Sequence, residues 1–85
     1  MKRINEYKKN KEYYEKSKIV GRNIKNIRKQ KRLTEMQLGK KIGKSRKFIS
    51  RIEYRGYSMI IYITTLYDIA KALDIETSWL LRGID

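Results

Sequence analysis

Apolar residues are sparse at the start of this chain and recur at helical spacing from Ile19 onward. Ile19, Val20, Ile24 and Ile27 repeat in this way up to about Arg32. That spacing predicts a first helix capped by Ser17, with Arg22, Lys25 and Lys29 on its wet side. Thr34-Glu35-Met36-Gln37 has the form of a capping box: the threonine hydroxyl takes the Gln37 amide proton while the glutamine side chain reaches back. A second helix follows to Ile42, Gly43-Lys44 turns the chain, and Ser45 caps a third helix running to about Tyr54. Leu38, Ile42, Ile49 and Ile52 fall inward, and Gly39 falls where two crossing helices press closest. Ser45, Arg46, Lys47, Ser50 and Arg51 turn outward from the third helix.

Beyond Tyr54 the pattern weakens before it recovers. Arg55-Gly56-Tyr57-Ser58 reads as a loop, and the β-branched apolar run at residues 59–63 reads more like a short strand than a helix start. Thr64 or Thr65 is placed to cap a fourth helix with an apolar stripe at Leu66, Ile69, Ala70 and Leu73. Thr77 is placed to cap a short last helix holding Trp79, Leu80 and Leu81, which Gly83 ends. Residues 1–17 lack a sustained apolar face and read as a basic N-terminal arm or a marginal helix. The expectation is therefore all-α: an arm over 1–17 and one five-helix domain over 18–85. Its second and third helices form a helix-turn-helix, and the outward face of the third has the donors to read a DNA major groove.

Charge strengthens that expectation. Residues 1–32 carry thirteen Lys/Arg against three Glu, residues 33–58 seven against two, and residues 59–85 two against four. A strongly basic first two-thirds beside a mildly acidic end predicts one face for a polyanion and another for something else. Thirteen isoleucines against two alanines reflect an AT-rich coding bias, which explains part of the lysine count and discounts the argument somewhat. The 85 residues hold no cysteine, hence no disulfide and no thiolate metal site, and no apolar run approaches a membrane span. Without an apolar signal core in residues 1–18, the expected location is the cytoplasm.

The candidate chemistry is binding, not catalysis. With no histidine or cysteine and its nine carboxylates scattered, the chain offers no metal site, cofactor site or acid–base couple, and it is not expected to be an enzyme. Residues 39–45, Gly-Lys-Lys-Ile-Gly-Lys-Ser, imitate a phosphate-binding loop but have three residues between the glycines where that loop needs four. Arg46 is the first choice to donate to guanine O6 and N7, and Arg51 the second; the plain alternative is that both only neutralise phosphate. Lys40, Lys41, Lys44 and Arg55 read as phosphate contacts. Phe48 either packs beside the core or covers a thymine methyl. Lys2 and Arg3 either enter a minor groove or belong to a free tail.

Several short motifs together resemble the Cro/CI-type (XRE) helix-turn-helix family of phage and bacterial regulators. They are Ile24-x-x-Ile27-Arg28, Leu33-Thr34-x-x-Gln37-Leu38-Gly39, Gly43-x-Ser45-x-x-x-Ile49-Ser50-x-Ile52-Glu53, Ala70-Lys71-Ala72-Leu73 and Thr77-Ser78-Trp79-Leu80-Leu81-Arg82-Gly83. The resemblance covers about residues 18–83 and implies a compact lambda-repressor-like domain that binds operator DNA as a two-fold dimer. By position it implies that Arg46, Lys47 and Arg51 touch bases, that Ser45 and Ser50 touch bases or phosphates, and that Arg28 pairs structurally with Glu53. Three departures stand out: Glu35 replaces a glutamine that contacts DNA in many members, Lys44 occupies an often apolar position, and the loop after the third helix is longer and lacks the common proline.

Met59, Ile60 and Ile61, with Trp79 and Ile84, are candidates for a homodimer seam, against the alternative that the run simply enters the core. Two other functions remain open. One is an antitoxin that binds its own operator and neutralises a toxin partner; the other is a charge-driven, non-specific nucleic-acid binder.

Overall fold

The computed structural model describes residues 2–55 and 62–85, with the side chains of 2–10 and 55 left aside. Four α-helices and a closing 3-10 helix follow one another: α1 (Lys2–Gln30), α2 (Glu35–Ile42), α3 (Arg46–Arg55), α4 (Ile63–Leu73) and the 3-10 helix (Thr77–Leu81). The architecture is all-helical, with five helical elements and no strand among the described residues.

The core forms where the apolar stripes meet. Val20 and Ile24 of α1, Leu38 of α2, Ile49 and Ile52 of α3, four residues of α4 (Leu66, Ile69, Ala70 and Leu73), and Leu80 make one buried cluster. Two glycines set the closest backbone approaches, Gly39 inside the α2–α3 turn and Gly21 between α1 and α3. A methyl on Gly39 would lie 2.6 Å from the Lys44 carbonyl oxygen, and one on Gly21 would collide with the Ile52 carbonyl oxygen. Both positions let backbones cross at a separation that no side chain permits.

Three helices end in the same way. After α1, Arg32 sits at φ 59; after α2, Gly43 at φ 70; after α4, Asp74 at φ 57. In each, the amides of that residue and of the next turn back onto the last turn, as in Leu33 N–H to Arg28 O at 3.1 Å, Lys44 N–H to Gly39 O at 2.8 Å and Ile75 N–H to Ala70 O at 3.0 Å. These are Schellman stops, two of them built without glycine.

The boundaries correct several expectations. Ser17 is not a cap: α1 runs straight through it to Lys2. The packed turns from Val20 to Arg28 supply the nucleus, and extending an existing helix is far cheaper than starting one. Thr64 and Thr65 lie inside the first turn of α4, which opens at Ile63 behind an extended Tyr62 with no side-chain cap. Burial of the Leu66–Ile69–Leu73 stripe outweighs the β preference of Ile63, so this residue joins a helix and not a strand. The rest of the expected strand, residues 59–61, lies outside the described residues. Thr77 is the first residue of the 3-10 helix, with Glu76 before it making no side-chain cap. Trp79 and Leu81 are partly exposed while Leu80 alone of that trio is buried, because three residues per turn point every third side chain inward.

Candidate nucleic-acid interface

The joint between α1 and α2 is fixed by hydrogen bonds at both ends. Thr34 Oγ1 accepts from the Gln37 amide at 3.0 Å, and Gln37 Oε1 accepts from the Thr34 amide at 2.8 Å, completing the capping box. Just before it, Arg28 Nη1 donates to the Leu33 carbonyl at 2.6 Å. The same guanidinium donates through Nε and Nη2 to the Glu53 carboxylate, at 2.7 and 3.0 Å. Arg28 and Glu53 are 7% and 5% exposed, so one buried ion pair ties the end of α1, the start of α2 and the second half of α3 together. Its hydrogen bonds to Glu53 raise the Arg28 guanidinium above its ordinary value; burial opposes this, and the charges of Glu53 and Glu35 add to the rise. The pair faces the interior, away from solvent.

The turn and the start of α3 are set in the same manner. Gly43 supplies the left-handed residue, and Ser45 Oγ accepts the Phe48 amide at 3.1 Å. With that cap made and Ile49 and Ile52 buried, the opposite face of α3 presents Arg46, Lys47 and Arg51 to solvent, with Ser45 exposed and Ser50 half-buried. Lys40, Lys41 and Lys44 are exposed on α2 and the turn, and Lys41 lines a groove with Ile42, Asp68 and Lys71, between α2 and α4. The Arg55 side chain lies outside the described ones. Phe48 is half-buried against the core, with Lys44 Nζ 5.1 Å from its ring centroid. The arrangement is a cationic surface on a rigid, capped helix, and rigidity is what base reading requires.

Sequence reasoning missed two contacts here. Glu35, the first residue of α2, brings its carboxylate within 3.8 Å of Arg46 Nε. It joins the ends of two helices, so no helical spacing announces it. Asn23, in the apolar stripe of α1, donates to the Leu80 and Arg82 carbonyls at 3.0 and 2.8 Å and holds the closing 3-10 helix against α1. A polar residue inside an apolar stripe was the available hint.

The seam candidates divide. Met59, Ile60 and Ile61 lie outside the described residues. Trp79 is 43% exposed and stacks under the Arg82 guanidinium at 4.4 Å, whereas Ile84 packs partly into the core. On α4, Ile63 and Tyr67 are exposed one turn apart. Among the described residues, no helix is long and apolar enough to cross a membrane.

A capped helix-turn-helix with an exposed basic reading face, locked to its scaffold by a buried ion pair, defines a DNA-binding helix-turn-helix module. The chain belongs to the helix-turn-helix domain family, of the XRE type, which it matches over residues 21–85. No curated protein matches the chain.

Proposed function

We propose that this chain is a sequence-specific regulator of transcription that binds double-stranded DNA, acts as a repressor, and inserts residues 45–54 into the major groove of a roughly palindromic operator. The observation that carries this reading is the combination on α3 of a fixed cap at Ser45 and exposed Arg46, Lys47 and Arg51. In this reading Arg46 and Arg51 read guanine edges, and Lys47, Ser45 and Ser50 assist them. Lys40, Lys41, Lys44 and Arg55 neutralise phosphates, each steepening the log–log salt dependence by about 0.9.

Two copies would act together in the cytoplasm, on half-sites about one helical turn apart. The exposed pair Ile63 and Tyr67, together with Trp79, supports a self-associating surface that shares no residue with the reading face.

Selection of bound duplexes from a random DNA pool at about physiological salt tests the proposal. The expected result is an enriched, roughly two-fold symmetric site, relaxed at one position per half when Arg46→Ala is used. Binding without an enriched motif, weakening only as salt rises, would replace this reading with a charge-driven binder.

A further inference from the structure

We propose that Glu35 is a positioning residue for base reading: its carboxylate holds the Arg46 guanidinium by its Nε edge and so sets which base Arg46 accepts. This rests on the reading of α3 as the groove-inserted helix.

The two side chains are unequal partners. Glu35 is anchored, with its side chain 18% exposed at the first turn of α2, where the helix N-terminus favours a negative charge. Arg46 is the open one, at 68% exposed. The carboxylate oxygen lies 3.8 Å from Nε, which is an ion pair without a made hydrogen bond. An ion pair so open on one side adds little to the stability of the free protein. Its consequence therefore falls on binding.

Engaging Nε leaves the two Nη groups free, and these are the donors that meet O6 and N7 of guanine side by side. Entry into the groove removes water from the pair, strengthening the attraction and narrowing the directions Arg46 can take. A carboxylate facing DNA also repels phosphate. Glu35 thus weakens indiscriminate binding while it orients the specific contact, and both effects raise the ratio of specific to non-specific affinity. The raised pKa of Arg28, to which Glu35 contributes, agrees with a carboxylate directed at the junction of α1, α2 and α3.

The experiment is a double-mutant cycle with Glu35→Gln, Arg46→Ala and both together. Affinities are measured for the selected duplex, for that duplex altered at the base pair Arg46 reads, and for an unrelated duplex. Glu35→Gln is expected to cut discrimination at that base pair about five-fold and to tighten binding to the unrelated duplex, with the midpoint of thermal unfolding lowered by only a few degrees for the charge lost at the helix N-terminus. In the Arg46→Ala background the same substitution should leave base preference unaltered. Glu35→Asp should restore part of the discrimination.

Three results would overturn the inference. Unchanged discrimination in Glu35→Gln is one. Equal weakening on all duplexes, with the unfolding temperature lowered beyond those few degrees, is another and would make Glu35 merely structural. A preference change that persists without Arg46 is the third, and would mean that Glu35 reads a base itself. If the wild-type protein selects no site, the operator reading falls and this inference with it. If a site is selected and Arg46→Ala relaxes it while the cycle is additive, only this inference falls.

Discussion

Replacing Glu53 by alanine strips the Arg28 guanidinium of two hydrogen bonds, at 2.7 and 3.0 Å, and leaves it only the Leu33 carbonyl. Arg28 is 7% exposed, so water cannot take the place of the lost carboxylate without opening the α1–α3 contact. Removing one partner of such a buried pair costs about 3–5 kcal/mol. A domain of 85 residues has a total stability of about 4–13 kcal/mol, so Glu53→Ala consumes a large share of it. At roughly 4–8 °C per kcal/mol, the midpoint of thermal unfolding should fall by at least about 12 °C.

The double variant Arg28→Met with Glu53→Leu separates the charge from the packing. An apolar pair of similar volume avoids the desolvation cost, and only the Leu33 carbonyl loses its donor, at about 1 kcal/mol. The double variant should therefore lie within about 2 kcal/mol of the wild type, well above the single one. Heat and urea unfolding followed by circular dichroism would measure all three proteins. A Glu53→Ala variant within about 1 kcal/mol of wild type, or a double variant as unstable as the single, would refute the reasoning.

Other consequences follow from the same geometry. In Gly39→Ala, a helix-propensity gain of about 1 kcal/mol competes with a Cβ placed 2.6 Å from the Lys44 carbonyl oxygen. Backbone cannot yield as a side chain does, so the clash should win by about 1–2 kcal/mol in urea unfolding and weaken DNA binding through the displaced turn. Asp74→Gly should stabilise by about 0.5 kcal/mol, because glycine takes the left-handed stop without strain. Gly43→Ala should show the opposite sign, a loss of about 1 kcal/mol, by the same argument. Thr34→Ala removes half of the capping box and should cost about 1 kcal/mol by the same unfolding measurement.

What the sequence made legible was whatever local chemistry encodes. The Thr34–Gln37 box, the glycine turn at Gly43, the serine before α3 and the inward positions Leu38, Ile49 and Ile52 each follow from a residue type at a fixed offset. The length of α1 was not legible, since its first half has no apolar face to reveal it. That half is an extension of a packed helix, aided by pairs such as Glu12 and Lys16, 3.5 Å apart at one turn's spacing. The end of α1 near Arg32 followed from the spacing, but the left-handed stops at Arg32 and Asp74 did not, because neither residue is the glycine that usually marks them. In the candidate interface, the outward face of α3 could be read from helical spacing. The contact between Glu35 and Arg46 could not, because it exists only once two helices have crossed.

The central claim is that the Ser45 to Arg51 face of α3, flanked by the start of α2, is where this protein meets DNA. Titration of the isotope-labelled protein with its selected duplex, followed amide by amide in nuclear magnetic resonance spectra, tests this most directly. The account predicts the largest shifts at Thr34–Gln37 and across residues 43–51, with small shifts over the 3-10 helix near Trp79. Shifts concentrated on α4 and the 3-10 helix, with residues 43–51 unmoved, would contradict it.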